Sequence, residues 1–405
     1  MANKPNNLNV RWAYLVVGVI AMLFAGVIYA WSILKSPFAA EFGWTKNDLA
    51  LNFTLTMCCF CLGGFFGSLL SKKLGHRIGL ILAAVLGAAG FLLSATLNGD
   101  SVVLLYIFYA VLAGLGIGVA YNVLISTVSR WFPDKKGLCS GALMMGFGAS
   151  ALVVGKLAAA LIEGPGWRTA YLWVGIALGV VLGLTALFLR APGPDTVLPA
   201  PAARQGRSDE VETLECTTGQ MLRRPSFWLA FFCIVCLSAV GSTVFSFAKD
   251  LSMSVGAEAG FATTLVGILS ICNGLGRILI GSLFDRLGRK RTMLTANFLT
   301  ILAAGTTLLA AVLHSLPLCV AGLCLTGFSY GSSPTISSAF TASFYGAKHF
   351  PLNFSVMNFN LIPAALTATA AGSLLESSGG FTAPLALLAG LAAVSLVLSL
   401  LIRKP

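Results

Sequence analysis

Twelve apolar runs, each long enough to cross a bilayer, follow one another along the chain with only short polar breaks. They fall at about 12–34, 48–71, 77–97, 102–129, 137–162 and 168–189, and again at about 225–248, 260–284, 291–313, 316–341, 350–375 and 381–402. Of the 405 residues, 57% are hydrophobic and 10% are charged, where a soluble domain carries about 25% charged residues. So little charge cannot cover a water-exposed globule. The expected fold is an all-α membrane protein of twelve transmembrane helices, with lipid as much of its solvent.

The stretch 190–224 breaks the pattern. It holds Pro192, Pro194, Pro199 and Pro201, then a mixed-charge run from Arg204 to Glu215. That composition suits a linker and not a span. It divides the chain into a six-helix half at 1–189 and another at 225–405.

Lysines and arginines set the expected orientation. With the N-terminus on the cytoplasmic side, that side collects twenty of them in loops and termini. The outer side collects four: Lys35, Lys46, Arg168 and Lys249. By the positive-inside rule, both termini are cytoplasmic. The net charge of +12 then faces the anionic inner leaflet, and nucleic acid is not an expected partner. The polar start, Met1 to Arg11, precedes a first helix with no small-residue cleavage site after it. That helix reads as retained, not as a signal peptide.

Small residues fit the same picture. Gly63-x-x-x-Gly67 and Gly114-x-Gly116-x-Gly118 are spacings that let helix backbones approach closely. Neither links a strand to a helix, and no Walker lysine follows. Most of the ten cysteines lie inside apolar runs, including Cys233-x-x-Cys236. They read as packing residues, with no disulfide framework, metal site or cofactor expected.

The halves look related. The turns at Gly75-His76-Arg77 and Gly288-Arg289-Lys290 are 213 residues apart, and the same offset carries Lys135 to Lys348. Gly281-Ser-Leu-Phe-Asp285-Arg286-Leu-Gly288-Arg289-Lys290 resembles the loop signature of the major facilitator superfamily. That resemblance implies two pseudo-symmetric halves and a conformational gate at Asp285, Arg286, Gly288 and Arg289. In the first-half copy Lys72 stands where the Asp would be. Two further blocks are similar to the oxalate:formate antiporter family, itself related to the monocarboxylate transporters. They are Arg130-Trp131-Phe132-Pro133-Asp134-Lys135-Lys136-Gly137 and Gly219-Gln-Met221-Leu222-Arg223-Arg224-Pro225-Ser-Phe227-Trp228.

Only two charges fall well inside an apolar run: Arg277 and Lys156. Arg277 lies eight residues before Asp285, roughly 12 Å from the helix end and close to mid-depth. A charge there costs about 2.5–3.5 kcal/mol even on the lenient insertion scale. No carboxylate in the spans can pair with it. It either binds helix carbonyls or meets an anion, and its planar fork suits a carboxylate. Lys156 sits nearer the outer end of helix five, where it either snorkels outward or joins an anion path. Tyr121, Asn122, Tyr330, Asn358 and Asn360 fall at a depth like that of Arg277, and Asn273 lies one turn from it. Each of these donors could serve a small-molecule site or a helix–helix hydrogen bond.

The resemblance implies that Arg277 holds a substrate carboxylate and that Tyr29, Tyr121 and Tyr330 wall the site. The oxalate carriers add a Lys in helix eleven; here that position is Leu361, beside Asn360. The loss of one cation favours a monocarboxylate such as formate, lactate or pyruvate. Proton-coupled relatives place an Asp one turn before the Arg, where this chain has Asn273. Exchange of anions is therefore expected, with proton-linked symport as the alternative. A membrane sensor with a carrier fold and a drug exporter are rival readings. No nucleophile–base pair or metal cluster points to an enzyme. The short termini suggest a prokaryotic inner membrane, and a monomer is expected.

Overall fold

The computed structural model describes residues 7–193, 196, 198–199, 215–346 and 348–402. Among them, twelve helices are long and apolar enough to span a bilayer. The first six are α1 (Asn9–Ala30), α2 (Asp48–Leu74), α3 (His76–Ser94), α4 (Val102–Ser129), α5 (Leu138–Glu163) and α6 (Trp167–Phe188). The second six are α7 (Pro225–Ser254), α8 (Ala259–Phe284), α9 (Arg289–Val312), α10 (Leu316–Tyr345), α11 (Phe350–Ser378) and α12 (Thr382–Leu401). The expected spans agree with these to within a few residues, except where charge ends a lipid span without ending a helix. Thus α7 continues through Lys249 and Asp250, which are exposed, to Ser254.

Local chemistry explains the ends. Thr45 and Asp48 form a capping box at the start of α2, and Ser101 accepts from the Val103 N–H at the start of α4. Gly75 and Gly288 join α2 to α3 and α8 to α9 with φ of +84° and +74°. A side chain rarely adopts that backbone, which explains both glycines.

The two halves repeat contact by contact. A Cβ on Gly63 of α2 would strike the Leu115 carbonyl of α4 at 2.2 Å; 213 residues on, one on Gly276 of α8 would strike the Phe328 carbonyl of α10 at 2.5 Å. Gly118 meets the Phe60 carbonyl at 2.0 Å, and Gly331 meets the Asn273 carbonyl at 2.1 Å. Gly114 and Gly327 repeat against Thr56 and Leu269. Close backbone approach of this kind replaces the hydrophobic drive that is missing between helices in lipid.

Part of the segment between the halves is not a spacer. Residues 200–214, which hold most of the mixed-charge run, lie outside the described residues. From Glu215 onward the chain docks on the second half. The Cys216 N–H donates to the Tyr345 carbonyl at 3.0 Å, and Asn353 Nδ2 donates to the Cys216 carbonyl at 3.0 Å. A short helix, Thr218–Leu222, follows with its own capping box, and its Met221 is fully buried. Polar composition hid these apolar anchors. Likewise Arg11, read as a surface charge, is buried: it forms a two-pronged pair with Asp134 at 2.7 and 3.2 Å.

Candidate functional site

Helix α8 carries Arg277 into the seam between the halves, where the side chain is 1% exposed. Its Nε donates to Asn273 Oδ1, one turn earlier, at 3.4 Å. Its Nη1 donates to the Met144 carbonyl of α5, in the other half. The guanidinium fits there because α5 has no side chain at Gly148; a Cβ at that position would lie 3.2 Å from Arg277 Cζ and 3.3 Å from Nε. No carboxylate pairs with Arg277 among the described residues.

Around the guanidinium lies a cavity of about 20 Å³, room for about one water molecule. Tyr29, Phe60, Tyr121 and Phe147 line it from the first half, and Tyr330, Ser333, Pro334, Asn358, Asn360 and Leu361 from the second. Irregular backbone positions several of these groups. Helix α1 tightens to a 3₁₀ turn at Gly26–Ala30, which holds Tyr29. Helix α11 does the same at Asn358–Asn360, just before Pro363, whose ring cannot donate to the Phe359 carbonyl. Pro334 lies within α10 and leaves the Tyr330 carbonyl without its usual donor. Such breaks are tolerated at membrane depth where they border a cavity or are buried in protein.

Aromatic rings close the cavity on both sides. Tyr29 Oη and Tyr330 Oη are 3.5 Å apart, and the Phe245 ring lies 5.5 Å from that of Tyr330. Beyond them opens a vestibule of about 300 Å³, lined by Tyr29, Phe245, Lys35 and Asp250 among others. In the other direction the Tyr121 ring stacks towards Phe354 at 6.4 Å, and Phe354 stacks on Phe350 at 5.3 Å. Phe350 borders a second vestibule, about 450 Å³, with Arg130, Lys348 and five serines in its wall. It opens at the end of the bundle where α1 begins and α12 ends.

The structure therefore brings together Arg277, Asn273, Tyr29, Tyr121, Tyr330, Asn358 and Asn360. Asn360 is held by its own bonds, accepting from Ser238 Oγ at 3.0 Å and donating to the Met357 carbonyl at 2.6 Å. Asn122 and Lys156 are placed elsewhere. Asn122 faces α2, where its Oδ1 accepts from Ser68 Oγ at 3.0 Å, and it does not line the cavity. Lys156 is exposed and lines neither the cavity nor either vestibule. Asn122 shares the depth of Arg277 and Lys156 sits nearer the outer end, but depth does not say which way a helix face points.

At the expected gate, the Asp285 side chain lies outside the described residues. Arg286 and Lys72 are exposed at their helix ends, Gly288 makes the turn, and the Arg289 guanidinium stacks 3.9 Å above the Phe344 ring. Sequence reasoning missed Gly148, Phe147 and Phe245. The available signal was the pair Gly141 and Gly148, seven residues apart on one face of α5, against which α8 packs.

Comparison with known proteins agrees with this architecture. The sequence profile of the Major Facilitator Superfamily matches residues 14–359 and 232–405. The chain is 29% identical to the oxalate:formate antiporter of Oxalobacter formigenes, over 84% of this chain and 80% of that one. It is 25% identical to monocarboxylate transporter 12 of Mus musculus, over 95% and 83% of the two chains. Among solved structures, the proton:xylose symporter XylE superposes with a TM-score of 0.74 at 12% identity, covering 98% of this chain and 97% of that one. The transporter FucP in its outward conformation superposes at 0.70 and 14%, covering 96% and 99%. The twelve-helix bundle, with its two repeating halves and a small cavity at their seam, carries the family's profile over most of its length: this chain belongs to the Major Facilitator Superfamily, whose members are transporters and not enzymes.

Proposed function

We propose that this transporter exchanges small monocarboxylates, of the size of formate, lactate or pyruvate, across a plasma (inner) membrane by alternating access of its halves. The observation that carries the reading is Arg277: a permanent cation, 1% exposed, at the seam of the halves and without a carboxylate partner among the described residues. A carboxylate matches its fork with two charge-assisted hydrogen bonds. The Tyr29 and Tyr330 hydroxyls and the Asn358 amide stand at the same cavity and can orient the rest of the solute. Leu361 offers an apolar wall where a second cation would favour a dicarboxylate.

Coupling follows from Asn273. The group one turn from Arg277 does not titrate, so it cannot hand a proton to the site. Exchange then needs no protonation step. The lysine and arginine bias supports an orientation with both termini cytoplasmic, in which the 450 Å³ vestibule opens to the cytoplasm.

The test is uptake of labelled formate, oxalate, lactate and pyruvate into liposomes loaded with each unlabelled anion, with Arg277→Gln alongside. Uptake is expected to require an internal anion and to vanish in the variant. Uptake that ignores internal anion but follows an imposed pH gradient would make the protein a symporter. Full uptake without Arg277 would remove the carboxylate reading.

A further inference from the structure

The carbonyl that Arg277 touches has an unusual surrounding. In an α-helix the carbonyl of residue i is bonded by the N–H of residue i+4, and the side chain at i+4 helps to shield it. For Met144 that residue is Gly148. With no side chain there, the Met144 carbonyl is open to a second donor, and Arg277 Nη1 takes it. The same glycine leaves the hollow in which the guanidinium lies. Asn273 Nδ2, 3.3 Å from where a Gly148 Cβ would stand, is buried and has no hydrogen-bond partner. An unpaired amide beside a paired guanidinium marks a seat whose polar groups are not all satisfied in this conformation.

We infer that Gly148 is a positioning residue that turns the Met144 carbonyl into a resting acceptor for Arg277, and that this bond ties the halves together until a carboxylate replaces it. The inference rests on Arg277 being the carboxylate ligand. Met144 belongs to the first half and Arg277 to the second, so the bond crosses the seam that must slide during alternating access. A neutral carbonyl is a weaker acceptor than a carboxylate, whose hydrogen bonds are charge-assisted. An arriving carboxylate therefore draws the guanidinium off Met144, stays bonded to it and frees α5 to move against α8. On a return without an anion, the bond to Met144 would have to break with nothing in exchange. The resting acceptor thus resists unloaded return and favours one-for-one exchange.

Gly148→Ala tests this with little steric damage, because the nearest atoms, at 3.2–3.3 Å, belong to movable side-chain ends. Gly183→Ala is the control, since nothing lies within 4 Å of its added Cβ. Liposomes loaded with labelled formate are placed in buffer with or without unlabelled formate. The rate without external anion, divided by the rate with it, reports unloaded return. That ratio is expected to rise on the order of tenfold in Gly148→Ala and to stay at the wild-type value in Gly183→Ala. A ratio unchanged in Gly148→Ala, or raised equally in both variants, overturns the inference.

Hydrogen exchange gives a reading that needs no transport. Without added carboxylate, amides of α5 and α8 near the seam are expected to exchange several-fold faster in Gly148→Ala than in wild type. Unchanged protection overturns the tie even if the variant is inactive. Faster exchange in a protein that moves no carboxylate would keep the tie and discard the monocarboxylate reading.

Discussion

The seam has two sides related by the internal repeat, and they differ at the positions that matter. Arg277 of α8 corresponds to Gly64 of α2, and Gly148 of α5 to Leu361 of α11, each pair 213 residues apart. Met144 and Met357 correspond as well, and both carbonyls carry an extra side-chain donor. At Met144 the donor is Arg277, from the opposite half. At Met357 it is Asn360, from the same helix. Helix α5 is continuous from Lys136 to Glu163, whereas α11 breaks into a 3₁₀ turn at Asn358–Asn360. A donor supplied across the seam goes with an unbroken helix and couples the halves. One supplied from within accompanies a local break and couples nothing. Of these two equivalent sites, one thus holds the cation and the glycine hollow and the other the 3₁₀ break.

The largest effect should come from removing the cation that distinguishes the two sides. Hydrogen bonds to a charged group contribute about 1.5–3 kcal/mol each, so Arg277→Gln should lower carboxylate uptake by at least ~100-fold. Arg277→Lys keeps the charge but loses the fork, and should fall by about tenfold. Equal losses would show that charge alone matters. Next, Leu361→Lys would place a second cation at the cavity. Competition of oxalate against labelled formate should then strengthen about tenfold; an unchanged ratio would mean that Leu361 does not set the preference.

The repeat itself can be tested at the helix seams. Gly118→Ala and Gly331→Ala each press a Cβ onto a facing carbonyl, at 2.0 and 2.1 Å. Each should cost about 1–3 kcal/mol, as overpacking does, with similar drops in thermal midpoint in detergent. Unequal drops would show that one half tolerates separation of its helices better than the other.

The smallest effect belongs to a clasp in the first half. The Trp167 indole donates to Glu41 at 2.5 Å, and Arg168 pairs with the same carboxylate at 2.9 Å. Glu41 lies between α1 and α2, and these donors, Trp167 first, hold its carboxyl below the usual range. A depressed pKa favours the folded state above the unfolded value and loses that advantage as pH falls through the folded one. The midpoint of Glu41→Gln should therefore sit slightly below that of wild type near neutrality, and the gap should close in acid. A gap that persists there would point to packing instead of charge.

Much of this was legible before any coordinates. Lipid imposes span lengths and forbids open backbone, so the twelve runs could be counted. Arg277 stood out because a lone guanidinium among apolar residues has no bland solvent. The sequence was less informative about facing. Asn122 shares the depth of Arg277, yet it bonds α2, and Lys156, nearer the outer end, is exposed. Gly148 was harder still, because a missing side chain carries no chemical signal until its neighbour is known. Cys216 and Met221 were hidden inside a polar stretch because two apolar anchors do not alter its composition.

The closed cavity has an electrical consequence. At about 20 Å³ it holds about one water, and rings cap it on both sides. A continuous file of waters does not fit that space, so in this conformation solvent does not join one vestibule to the other. The bilayer's dielectric barrier is therefore not bridged by bulk water at the seam in this conformation.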